Sequence, residues 1–270
     1  MRKPHVTVYV NPDSPDSFRR IGDEKIDGSP IVDVVCIFAG NYASATRPYL
    51  RAYNNQPPTQ DQFNKNIQDV LDSGAVQDLR NQGIKVLLTV LNAHQPVGWS
   101  EFTSESAAED FAGYLKEVVD EYGLDGIDID DEYSSGVPND TSLIMVTTKL
   151  REVMSDKILS KALFADLPYF EASWNGRRLA DNLTFGWQMS YGTAPQLVLP
   201  PYTKVGFTQE QLSMGFWIGQ PSANPERDAQ WLQTNGYGGM MLFAMENQAT
   251  VELMRKLVNA WYASAQRSSA

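Results

Sequence analysis

Cysteine is almost missing from this chain: 270 residues hold one, Cys36. A single thiol closes no internal disulfide, so a stapled scaffold is excluded and the redox compartment cannot be read from thiols. Cys36 sits inside the apolar run Ile31–Phe38, where a buried, inert core residue is expected. Positive charge is also in short supply. Lys and Arg number 22 against 33 Asp and Glu, a net charge of -11, which speaks against nucleic acid or an anionic membrane as partner. No stretch approaches the roughly 18 consecutive apolar residues that cross a bilayer. The opening Met1-Arg2-Lys3-Pro4 lacks an apolar signal core. The chain is thus expected either to stay in the cytoplasm or to be secreted or periplasmic through an export segment that preceded it. Linkers and internal repeats are lacking as well, so 1–270 reads as one domain.

What is present is a rhythm. Short β-branched runs alternate with helical segments along the whole length. Strands are expected at His5–Val10, Ile31–Phe38, Ile84–Leu91, within 124–133, and at Ala162–Leu167, Leu183–Tyr191, Leu212–Ile218 and Gly238–Met245. Helices are expected around Phe63–Gln82, after Ser104 as N-cap, and over Ser142–Met154, Pro225–Asn235 and Thr250–Trp261, with a frayed tail from Ala263. Gly83 and Gly123 fall where helices should stop. Eight strands with crossovers predict an α/β fold, a closed (β/α)8 TIM barrel, with weak or missing helices after the first, fifth and sixth strands. In such barrels chemistry sits at the carboxyl ends of the strands.

The fourth strand carries the densest chemistry. Leu124-Asp125-Gly126-Ile127-Asp128-Ile129-Asp130-Asp131-Glu132-Tyr133 places Asp128, Asp130 and Glu132 at alternate positions. A strand would turn all three carboxyls to one face, neighbours about 6.6 Å apart along the chain. Carboxylates that close repel, which keeps a proton among them and makes the outermost, Glu132, a candidate proton donor. A calcium loop would want Gly at its sixth position and Glu at its twelfth, and this run has neither; a solvated loop would not need Ile127 and Ile129. No metal or cofactor is expected.

Asp125-Gly126-Ile127-Asp128-Ile129-Asp130-Asp131-Glu132 resembles the DGxDxDxE signature of glycoside hydrolase family 18. The wider stretch Lys85–Tyr133, with His94-Gln95, Tyr122-Gly123-Leu124 and the Asp131-Glu132-Tyr133 ending, resembles the endo-β-N-acetylglucosaminidases of that family; its chitinases usually carry an apolar or aromatic residue where Asp131 stands. The resemblance implies roles. Glu132 would protonate the leaving oxygen and then act as base toward water. Asp130 would orient the substrate's 2-acetamido group, whose own oxygen attacks the anomeric carbon, so no protein nucleophile is needed. Asp128 would share a proton or hydrogen bond with Asp130, and Tyr191 would hold the acetamido carbonyl. The implied substrate is the GlcNAc-β-1,4-GlcNAc core of N-linked glycans or glycoproteins, high-mannose forms first, cleaved with retention by a monomer. The net negative charge fits such a neutral ligand.

Strand ends supply the candidate sugar contacts: His94 and Asn92 after the third strand, Gln188 at the sixth, Phe243 and Glu246 at the eighth. Asn92 falls one place earlier than the endoglycosidase pattern wants. Tyr42, Tyr49 and Tyr53 could stack on sugars or pack their own loop. Asp125 is expected to be structural. Trp187 could be core or the floor of the site. Two other readings stand beside the first: a chitinase of the same fold, and a glycan-binding protein on an inactive barrel. The intact Asp128, Asp130 and Glu132 speak against the second of these.

Overall fold

The computed structural model describes residues 2–42, 65–92, 98–132 and 136–267, with the side chains of 41, 42, 92 and 264–267 excepted. Eight parallel strands close a barrel: β1 (His5–Val10), β2 (Val34–Tyr42), β3 (Lys85–Asn92), β4 (Gly126–Asp130), β5 (Ile158–Leu163), β6 (Phe185–Gln188), β7 (Leu212–Trp217) and β8 (Gly239–Phe243). β1 pairs with β8 through His5 opposite Gly239 and with β2 through Thr7 opposite Val34, so no edge is left open.

Strand parity splits the interior in two. Outward residues such as Val6, Val8, Ile127, Ile129, Leu159 and Leu163 join the large core between barrel and helices. Inward residues form a smaller cluster of Tyr9, Val34, Cys36, Leu87, Trp187 and Met241, capped by Phe38, Tyr191 and Phe243. Cys36 is fully buried there. Glycine serves closure at two points. A Cβ on Gly126 would lie 1.9 Å from the Ile158 carbonyl oxygen, and one on Gly239 1.9 Å from that of His5. Only glycine lets these strand starts come so near their neighbours.

The (β/α)8 expectation stands, with changed bounds. β2 begins three residues later than expected and runs on to Tyr42, and a hairpin of Lys25–Ile26 and Ser29–Pro30 precedes it. The helix expected over 63–82 is two, Lys65–Asp72 and Ala75–Asn81, broken at Gly74 with φ +77°. β5 starts four residues earlier than expected, and Leu167 opens a helix instead of closing a strand. The thin crossovers are filled by short helices at Pro15–Arg19, Leu167–Glu171, Leu179–Asn182, Pro195–Val198 and Pro200–Lys204. The last helix spans Gln248–Arg267, so the chain does not fray at Ala263. The Ser104 hydroxyl caps its helix by accepting from the Ala107 N–H. No helix among the described residues is long and apolar enough to cross a membrane.

Candidate active site

β4 delivers two carboxylates into the barrel. Asp128, fully buried, lies between Thr89 on β3 and Ser160 on β5 in register. Its Oδ2 accepts from the Tyr9 hydroxyl at 2.7 Å and the Thr89 hydroxyl at 2.9 Å. Its Oδ1 accepts from the Ser160 hydroxyl at 2.6 Å and the Trp187 indole N–H at 2.9 Å. Burial pushes the Asp128 carboxyl up, and these four donors hold the rise back. The expected hydrogen bond between Asp128 and Asp130 is not formed. Both oxygens of Asp128 are taken by donors from four other strands, a correction that alternation along one strand could not supply.

Asp130 is 4% exposed, and its Oδ1 is buried with no hydrogen-bond partner. Burial raises its carboxyl well above the usual range, Glu132 and Asp128 add to the rise, and Lys161 opposes it. The strand ends at Asp130, so Glu132 is not a strand residue as alternation had suggested. It is half-buried just beyond, raised by burial, lowered by Lys161 and raised again by Asp131. Both carboxyls line a cavity of about 400 Å³ at the carboxyl mouth of the barrel.

The rest of that cavity is mainly aromatic: Tyr9, Phe38, Phe164, Tyr191, Trp217 and Phe243. The rings brace one another, Phe38 against Phe243 at 5.4 Å, Tyr191 against Trp217 at 5.6 Å and Trp217 against Phe243 at 6.0 Å between centroids. Such faces suit the C–H surfaces of a sugar ring. Gly215 makes room for Tyr191: a Cβ there would meet the Gln188 carbonyl oxygen at 2.4 Å and the tyrosine ring at 3.0 Å. Burial, then Asp130, Glu132 and Asp128, raise the Tyr191 hydroxyl, which stays a neutral donor at any ordinary pH.

The remaining candidates scatter. Phe243 lines the cavity. Gln188 does not. By parity it faces outward, it is 3% exposed, and its Oε1 accepts from the Ser190 N–H. Glu246 is exposed beyond β8 and bound by the Asn11 amide, and it is not among the residues lining that cavity. His94, Tyr49 and Tyr53 lie outside the described residues, as do the side chains of Asn92 and Tyr42. Asp125 sits at the barrel base, held by Arg80 at 3.0 Å, Lys85 at 3.2 Å and the Val86 N–H at 3.0 Å. Trp99 is core, with its N–H on the Val90 carbonyl. Trp187 is fully buried in the barrel interior, with its N–H on Asp128. Sequence reasoning passed over Tyr9, Phe38, Phe164 and Trp217. The alternation Val6, Val8, Val10 against Thr7 and Tyr9 was a usable signal for the first of these. The described residues contain no cluster of His, Cys, Asp and Glu that could hold a metal ion.

A closed (β/α)8 barrel with paired carboxyls at the end of its fourth strand is a glycosidase architecture, and the family model for glycosyl hydrolases family 18 matches residues 6–214. The chain belongs to that family and is a glycoside hydrolase. Among curated proteins it is 30% identical over 276 residues to an endo-beta-N-acetylglucosaminidase of Flavobacterium sp. (strain SK1022), covering 97% of this chain and 82% of that one. It is 28% identical over 239 residues to endo-beta-N-acetylglucosaminidase F1 of Elizabethkingia meningoseptica, covering 82% of this chain and 65% of that one. Among solved structures, Bacteroides thetaiotamicron EndoBT-3987 in complex with Man9GlcNAc2Asn substrate shares the fold, with TM-score 0.77 and 22% identity. The match covers 97% of this chain but 65% of that one, so this chain spans under two thirds of that neighbour's length.

Proposed function

We propose that this chain is an endo-β-N-acetylglucosaminidase that cleaves the GlcNAc-β-1,4-GlcNAc core of Asn-linked glycans and leaves one sugar on the protein. The observation that carries the reading is the shared cavity: Asp130, Glu132 and Tyr191 converge on one aromatic-walled space large enough for a sugar ring. The names of the two curated relatives and the substrate in the EndoBT-3987 complex support the choice of glycan. We read 1–270 as one catalytic barrel acting as a monomer.

In the reaction, Glu132 gives its proton to the bridging oxygen as the C1–O bond breaks. The acetamido oxygen forms the new bond to C1 from the opposite face, yielding an oxazolinium. Asp130 accepts a hydrogen bond from the acetamido N–H, which keeps its proton, and stabilises the positive charge developing there, while Tyr191 donates to the acyl oxygen. Water then adds to C1, Glu132 removes its proton, and the acetamido group re-forms with retention. Burial, helped by Asp131 and opposed by Lys161, raises the acid and so favours the proton that the first step requires.

The test is a digest of a high-mannose glycoprotein, a complex-type glycoprotein and a chitin oligomer, each followed by mass, with wild type and Glu132→Gln. The expected result is wild-type loss of glycan leaving one hexosamine on the peptide, and a fall of about a hundredfold or more in the variant. Cleavage of the chitin oligomer alone, or wild-type release by Glu132→Gln, would overturn the reading.

A further inference from the structure

Asp131 takes no part in the reaction above, yet it is anchored. It follows the outward residue Ile129 by two positions, and Ile129 pairs with Lys161 across the β4–β5 ladder. Lys161 is therefore turned out of the barrel, between Leu159 and Leu163, into a layer that is otherwise apolar. It is 2% exposed. An ammonium persists there only if it is paired and hydrogen-bonded. Its Nζ donates to Asp166 Oδ2 at 2.5 Å and to the Ala162 carbonyl at 2.8 Å. Asp166 is itself buried, and its other oxygen accepts from the Tyr202 hydroxyl at 2.6 Å. The Asp131 carboxylate accepts from the Ser100 hydroxyl at 3.3 Å. Asp131, Glu132, Lys161 and Asp166 line one polar cavity of about 200 Å³, and Glu132 also lines the aromatic one.

We propose that Lys161 and Asp131 are positioning residues for Glu132: Asp131, tied to Ser100, fixes the backbone from which the next side chain reaches the sugar, and the buried ammonium, moored by Asp166, shares one polar cavity with both carboxyls. Glu132 stands past the end of the strand, where no ladder hydrogen bonds set its place. This outer ion cluster does what the ladder does for Asp128 and Asp130. It also acts on the proton of the acid. Lys161 favours its loss and Asp131 opposes it. The other titratable groups around the cluster are Asp130 on β4, Asp166 after β5, Tyr191 beyond β6, and Tyr169 and Tyr202 on the helices packed outside.

This inference rests on the reading of Glu132 as the acid. The experiment compares kcat, KM and pH profiles for glycan release by wild type, Asp131→Asn and Lys161→Met. In both variants kcat should fall between about tenfold and about a hundredfold with KM within about twofold, the signature of a misplaced acid. The alkaline limb, where Glu132 loses its proton, should move up in Lys161→Met and down in Asp131→Asn, by about half a pH unit or more. Asp131→Asn keeps the shape and an acceptor for Ser100, and it decides the matter if Lys161→Met fails to fold. An Asp131→Asn enzyme with wild-type kcat would overturn the proposal. So would lost kcat with the limb unmoved, which would mark the pair as merely structural. Failure of the Glu132 reading is told apart by Glu132→Gln, which would then keep wild-type turnover.

Discussion

Asp128 and Asp130 are two residues apart on one strand and point the same way, yet the barrel treats them oppositely. Asp128, lower down, has four donors from β1, β3, β5 and β6. Asp130, at the mouth, has a buried oxygen with no partner and three acidic neighbours, Glu132, Asp128 and Asp131. The lower carboxylate is saturated and serves as a fixed part of the floor. The upper one is costly to bury, and a polar group arriving in the cavity would meet its unspent capacity. Stability is invested in the one and withheld from the other, as expected where a site is pre-organised for a ligand.

That contrast can be broken by substitution. The largest effect is expected from Asp130→Asn, with kcat lowered about a hundredfold or more while the melting temperature rises. The sign follows from the shift. The Asp130 carboxyl is raised in the folded state, so its contribution is fully present below the ordinary carboxylate range and is lost as pH rises through the folded value. The variant lacks this loss. Its thermal advantage over wild type should therefore grow from acid to neutral pH, which calorimetry across pH checks. Asp128→Ala should behave the other way. Removing it strands four buried donors, at a cost of about 3 to 5 kcal/mol in denaturant unfolding. Asp128→Asn sharpens the comparison. Trp187 can only donate, so the amide oxygen must face Trp187 and Ser160 and the NH2 must face the Tyr9 and Thr89 hydroxyls. That orientation satisfies the site, and the cost should drop to about 1 kcal/mol. The smallest effect is expected from Trp187→Phe, which removes one donor of four for about 1 kcal/mol and leaves KM within about twofold, since the indole is not among the residues lining the cavity.

The same two regions show what the sequence made legible. Alternation of Ile127 and Ile129 with Asp128 and Asp130 is a local property, and it placed both carboxylates inside the barrel. The partners of Asp128 come from positions 32 to 119 residues away, and local pattern cannot name them. β5 was misplaced for the same reason. Ser160 and Lys161 interrupt its apolar run, and their burial makes sense only once Asp128 and Asp166 are beside them. Gln188 and Phe243 both stand at strand ends, yet parity within a closed barrel sends one outward and the other to the cavity. Trp217 was hidden in a strand apolar on both faces, where neither side announces itself.

The central claim is that the substrate's own acetamido oxygen attacks the anomeric carbon, the group being held by Asp130 at its N–H and by Tyr191 at its acyl oxygen. It is tested most directly by measuring kcat/KM on substrates whose cleaved residue carries acetyl, fluoroacetyl, difluoroacetyl or trifluoroacetyl groups. A participating acyl oxygen predicts a steep fall with each fluorine; equal rates across the series would contradict it.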